Sequence, residues 1–153
     1  MCCEPGAGVL VPAPYYAAFE NDMKVMAGLV PVPTYCADPR SGPTEADLEA
    51  AYTSASRDRP VSMLLLTNPH NPLGVVYSAK TLLSCVTWAR TKGIHVVVDE
   101  IYAMSVHQSD GNGSAFRSVL DVLGGELGDD VHVVWAMSKD FGSSGLRAGI
   151  LLR

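Results

Sequence analysis

Ile94-His95-Val96-Val97-Val98-Asp99-Glu100-Ile101-Tyr102 decides how this chain folds. An apolar, β-branched run of this length reads as a strand buried on both faces, and it stops abruptly in two carboxylates and a phenol. Two other stretches have the same form. Val61 to Leu66 runs into Thr67-Asn68-Pro69-His70-Asn71-Pro72-Leu73-Gly74, and Val131 to Ala136 runs into Met137-Ser138-Lys139-Asp140. A glycine-bearing loop, Phe141 to Leu146, follows the last of these and leads to Arg147 and a final strand over Ala148 to Leu152.

Helical patterns separate the strands. Thr44-Glu45-Ala46-Asp47 is a capping-box sequence opening a helix with Leu48, Ala51, Tyr52 and Ala55 on its inner face. Ser78 caps a second helix to Lys92, with Leu82, Leu83, Val86 and Ala89 toward the core and Gly93 as its stop. Upstream, Val9-Leu10-Val11 reads as a short strand. Tyr15 to Ala27 reads as a helix with Phe19, Met23 and Met26 on one face, ended by Gly28. Leu29-Val30-Pro31-Val32-Pro33 is extended, and its two prolines place it at a sheet edge. Asp38 to Pro43 and Gln108 to Ala115 read as loops, and Arg117 to Leu123 as a short helix. Strands alternating with helices need crossover connections. The expected fold is therefore α/β, a three-layer αβα arrangement with a mostly parallel sheet. In such sheets ligands bind outside the carboxyl ends of the strands, where the reactive residues of this chain collect.

Those residues suit one cofactor. Pyridoxal 5'-phosphate requires an amine for its Schiff base and a carboxylate that keeps its ring nitrogen protonated. A phenol and an amide can donate to the ring oxygen, and a guanidinium can grip the phosphate through two parallel hydrogen bonds. Lys139, Asp99, Tyr102, Asn71 and Arg147 supply these groups in order, at strand ends. The valine run before Asp99 also has the form of a nucleotidase strand whose acid binds magnesium. That reading needs a GxxxxGK[ST] loop, which this sequence lacks.

With Leu10-Val11-Pro12-Ala13-Pro14-Tyr15-Tyr16 added, the three strand-end motifs resemble the class I/II aminotransferase family, most nearly its branch of 1-aminocyclopropane-1-carboxylate synthases. The resemblance implies a fold-type-I enzyme in which residues 1–153 form part of the large, cofactor-binding domain. The family's first phosphate-binding loop and its C-terminal small domain then lie outside the chain. It implies Lys139 as the catalytic amine, Tyr16 stacked on the cofactor, and Asn71 and Tyr102 at its ring oxygen. Asp99 falls at the ring nitrogen, and Ser138 and Arg147 at the phosphate. Tyr15 is a neighbouring wall or packing, and Asn68 and Glu100 are structural. One departure stands out: where the family often has a phosphate-binding serine three residues before the lysine, this chain has Ala136. The implied substrate is a small molecule, an amino acid, and the implied parent a homodimer. Transamination and ring-forming elimination remain equally open, and the alternative to an enzyme is a truncated remnant or binding module that has lost turnover.

Composition closes off other classes. The 153 residues are 48% apolar and 18% charged, which suits one globular domain without an interdomain linker or internal repeat. The net charge of −5, with no basic run, argues against nucleic-acid binding. Apolar runs are too short to cross a bilayer, and the N-terminus lacks the pattern of a secretory signal. Cys2, Cys3, Cys36 and Cys85 show no CxxC spacing and are expected to be reduced, in keeping with a cytoplasmic protein. The four histidines lie in separate segments without ligand spacing, so no metal site is expected.

Overall fold

The computed structural model describes residues 3–107 and 115–153. Cys2 and the loop expected from Gln108, as far as Ser114, lie outside the described residues. Six strands form one sheet: β1 (Gly8–Ala13), β2 (Val30–Tyr35), β3 (Val61–Thr67), β4 (His95–Asp99), β5 (Val131–Ala136) and β6 (Gly149–Leu152). Their order is β2-β1-β3-β4-β5-β6, with all neighbours parallel except the antiparallel pair β5 and β6. The proline-bearing β2 sits at one edge, where the missing N–H groups of Pro31 and Pro33 break no second ladder.

Alternation along the central strands divides the core between two faces. Leu10, Leu64, Leu66, Val96, Val98, Val131 and Val133 point to one side. They pack there with Leu48 of α2 (Glu45–Ala55) and with Leu82, Cys85, Val86 and Ala89 of α3 (Ala79–Lys92). Val9, Val11 and Leu65 point to the other, against Tyr15, Phe19, Met23, Met63 and Val97. Both long helices start as their sequences direct. Thr44 and Asp47 close a reciprocal capping box, the Ser78 side chain accepts from the Thr81 amide, and Gly93 ends α3 at φ 65°. Deleting the Leu64 side chain, which is wholly buried among these groups, is expected to lower unfolding free energy by about 2–5 kcal/mol. Urea unfolding of Leu64→Ala measures this, and an unchanged midpoint would mean that Leu64 lies outside the core.

Three expectations need correction. The helix expected over Tyr15 to Ala27 is only α1 (Phe19–Asn21) followed by a π-helical stretch, Asp22–Met26. Phe19 and Met23 still face the sheet, but the widened turn carries the residue three further on away from it, so Met26 is 84% exposed. Leu83 does not join the core face of α3 and is 48% exposed. The buried stripe runs through Leu82, Cys85, Val86 and Ala89, at the i, i+3, i+4, i+7 spacing that leaves Leu83 one helical step outside. The helix expected over Arg117 to Leu123 is a single turn, α4 (Val119–Val122), started by the Ser118 hydroxyl.

Candidate active site

β3, β4 and β5 are adjacent and parallel, so their carboxyl ends open onto the same rim of the sheet. At the end of β4 the two carboxylates part company. Asp99 lies two residues after Val97 and shares its face, whereas Glu100 turns into the opposite side. There Glu100 is buried, and its Oε1 accepts the Val119 amide of α4 at 2.7 Å. Burial pushes the Glu100 carboxyl up, against the bonds from Val119 and Ser118. It is a structural acid that anchors a helix start.

Asp99 is differently placed. Its Oδ1 accepts the Ile101 amide at 3.0 Å. Burial raises its pKa, and that one backbone bond offsets the rise only in part. The ion pairs among the described residues do not include Asp99. A desolvated carboxylate with no cationic partner is stabilised by any cation that comes to it.

The loop after β3 is folded back on itself. The Asn68 amide donates to the Asp99 carbonyl at 2.9 Å, tying this loop to β4. The Asn68 side chain accepts from the Tyr77 amide at 2.9 Å, and the His70 amide donates to the Val75 carbonyl at 2.8 Å. The Asn71–Pro72 peptide is cis. Together with the turn after β4, this loop lines a cleft of about 490 Å³ bordered by His70, Asn71, Gly74, Tyr102, Ser105 and His107. The fold thus brings Asn71 and Tyr102 to one space. Asp99, Lys139 and Arg147 lie outside the lining of that cleft.

Lys139 stands in α5 (Met137–Asp140), directly after β5, with Ser138 beside it. Lys139 is exposed. The Gly142 amide donates to the Lys139 carbonyl at 3.0 Å and the Ser143 amide to the Met137 carbonyl at 3.2 Å, closing the turn. The Met137 amide donates to the Ala148 carbonyl at 3.2 Å, which returns the chain to α5 immediately after Arg147. Arg147 is exposed, has φ 50°, and donates from Nη1 to the Ser144 carbonyl at 3.1 Å. That left-handed backbone is uncommon outside glycine and fixes where the guanidinium stem leaves the loop.

On the face shared with Asp99, Tyr15 packs in the core cluster and donates to Glu20 at 2.5 Å. Burial, then Glu20, pushes the Tyr15 phenol up to about 12. Tyr15 is therefore packing, and Tyr16 is the tyrosine left 46% exposed, meeting Phe19 edge to face. Two residues outside the expected set belong to this rim, Asp140 and Ser105. Asp140 has a sequence signal, its place next to Lys139. Ser105 has none, because its importance depends on a contact 35 residues away. No group of three or more His, Cys, Asp or Glu among the described residues can hold a metal ion, and no helix among them is long and apolar enough to cross a membrane.

The family model for aminotransferase class I and II matches residues 1–153. Among curated relatives, 1-aminocyclopropane-1-carboxylate synthase 6 of Arabidopsis thaliana is 42% identical over 154 residues, covering 96% of this chain and 30% of that protein. The 1-aminocyclopropane-1-carboxylate synthase of Vigna radiata is 39% identical over 155 residues, covering 97% of this chain and 41% of its own length. The chain thus spans well under half of the curated relatives it matches. The crystal structure of aspartate aminotransferase from Thermotoga maritima superposes with a TM-score of 0.81 at 24% identity, over 99% of this chain and 37% of that one. At that identity the likeness bears on the fold.

Proposed function

Since this chain belongs to the aminotransferase class I and II family, we propose that it is the cofactor-bearing part of a pyridoxal-phosphate enzyme acting on amino acids, with Lys139 as its catalytic amine. The observation that carries the reading is Asp99: a desolvated carboxylate at the carboxyl end of a central parallel strand, outside every ion pair among the described residues. A protonated ring nitrogen is the kind of cation such a group lacks, so the donor set fits the cofactor. When bound, the cofactor supplies an aldehyde that joins a primary amine and a cationic ring that withdraws electrons.

The chain's own residues have separate tasks in this proposal. Asp99 holds positive charge at the ring nitrogen. Asn71 and Tyr102 donate hydrogen bonds to the ring oxygen, and Tyr16 offers an aromatic wall. Ser138 and Arg147 hold the phosphate, with Arg147 suited to two parallel bonds. Lys139 would take the proton from the amino acid's α-carbon and return it, which is general acid–base work by an amine. The reaction is of the aminotransferase type or the 1-aminocyclopropane-1-carboxylate synthase type, and the groups meeting the substrate's distal end choose between them. The full-length protein is proposed to be a cytoplasmic homodimer.

Trapping tests the central assignment. The full-length polypeptide is incubated with pyridoxal phosphate, reduced with borohydride and digested, and the pyridoxyl group is mapped by mass spectrometry. Modification of Lys139 is expected. Modification of Lys24, Lys80 or Lys92 in its place, or of no lysine, would overturn the proposal and leave a remnant without turnover.

A further inference from the structure

We propose that Asp140 is a positioning residue that locks the turn carrying Lys139 to the turn carrying Tyr102; this rests on the reading of Lys139 as the catalytic amine. Among the described residues, the Asp140 carboxylate accepts three hydrogen bonds. Oδ2 takes the Met104 amide at 3.0 Å and the Trp135 indole N–H at 2.8 Å, and Oδ1 takes the Ser105 hydroxyl at 2.5 Å. Two of these donors belong to the turn after β4, where the Ser105 amide itself donates to the Tyr102 carbonyl at 3.0 Å. The third comes from β5.

The two turns need such a link. The β4–β5 ladder pairs Asp99 with Val134 at its last register position, and one further bond, from the Glu100 amide to the Val134 carbonyl, lies past it. The strand ladder ends there. α5 is four residues long and its N-cap, Ala136, offers no side-chain bond. A helix of one turn does not hold itself in place. Asp140 joins it across 36 residues of sequence to the backbone of the other turn. Trp135, gripped by the same carboxylate, also meets Phe141 edge to face with ring centroids 5.9 Å apart, so the C-terminal end of α5 is fastened to β5 through two adjacent residues.

The carboxylate is free for this work. The ion pairs among the described residues include neither Asp140 nor Lys139. Burial raises the Asp140 carboxyl, but the bonds from Ser105, Trp135 and Met104 together hold it below the usual carboxylate range. It is therefore ionised at neutral pH, where hydrogen bonds to it are of the stronger, charge-assisted kind.

The role is geometric, which makes it separable from a charge effect. In Asp140→Asn the side-chain oxygen still accepts the two N–H groups, and the amide nitrogen donates to Ser105, whose hydroxyl can turn to accept. In Asp140→Ala all three bonds are lost, and in Ser105→Ala one is lost.

The test uses the full-length polypeptide in these three variants, with two measurements. Hydrogen exchange on cofactor-free protein is expected to show faster exchange in Asp140→Ala over both residues 101–105 and 137–143, with strand amides of β3 and β4 unchanged. Steady-state kinetics are expected to show kcat reduced about 100-fold with KM within about twofold of wild type. Ser105→Ala should lie between, and Asp140→Asn should restore most of both. Exchange unaltered in either turn, or an Asp140→Asn as damaged as Asp140→Ala, would overturn the positioning role. So would unchanged kcat in Asp140→Ala when Lys139 is trapped by borohydride. Coupled exchange in the two turns without any trapping of Lys139 would instead overturn the functional reading beneath it.

Discussion

The full-length protein carrying Lys139→Ala is expected to lose turnover by about 10²–10⁴-fold, the range for removal of a positioned general acid or base, without loss of the fold. The second half of that expectation comes from how Lys139 sits. Its side chain is exposed and takes no part in the ion pairs or side-chain hydrogen bonds among the described residues. What it contributes to the turn is its backbone carbonyl, which accepts from Gly142, and alanine keeps that bond. Thermal unfolding and circular dichroism should therefore match the wild type while kcat collapses. Wild-type turnover in this variant would remove Lys139 from the chemistry. A collapse of both activity and fold would assign it a structural part that its surroundings do not suggest.

Asp99→Asn should separate cofactor binding from catalysis. The amide oxygen can still accept the Ile101 N–H, so the local backbone is kept, yet a neutral amide cannot hold a ring nitrogen in its protonated form. Turnover is expected to fall on the order of 10²–10³-fold, the cost typical of deleting one preorganised electrostatic contact, while the cofactor remains measurably bound. The same substitution has a signature without cofactor. Burial raises the Asp99 pKa in the folded state. The ionised carboxylate therefore disfavours the fold, fully so above the folded pKa and not at all below the ordinary carboxylate range. Cofactor-free Asp99→Asn should be at least as stable as wild type at pH 7, and the difference should vanish as pH falls through the carboxylate range. A variant clearly less stable at pH 7 would show that Asp99 is paired in the free protein.

Much of the scaffold was legible because its signals are local. The caps at Thr44 and Ser78, the stop at Gly93 and the valine-rich run before Asp99 each depend on neighbouring residues alone, and the structure has them where the pattern put them. The edge position of β2 was legible for the same reason, since a proline's missing N–H is a property of the residue. Tyr15 to Ala27 misled because a helical period over Phe19, Met23 and Met26 assumes a uniform turn. The backbone widens at Asp22–Met26 as this segment settles on the sheet. Leu83 misled because hydrophobicity marks it for burial, whereas the neighbouring surface of α3 decides which stripe is covered.

By itself the sequence determined the class of fold and the end of the sheet where chemistry collects. Both follow from short apolar runs, each forced into a buried strand, with polar residues where the run stops. Tertiary structure alone decided the strand order, the reversal of β6 and the helix start that Glu100 anchors. It also brought Asn71 and Tyr102 to one cleft, with Lys139 and Arg147 outside its lining, and it set Asp140 across from Met104 and Ser105. The physical reason is common to these. A strand's alternation says that adjacent residues face opposite ways, but not which side a core will cover. A hydrogen bond spanning 35 residues leaves no trace in the local pattern at either end.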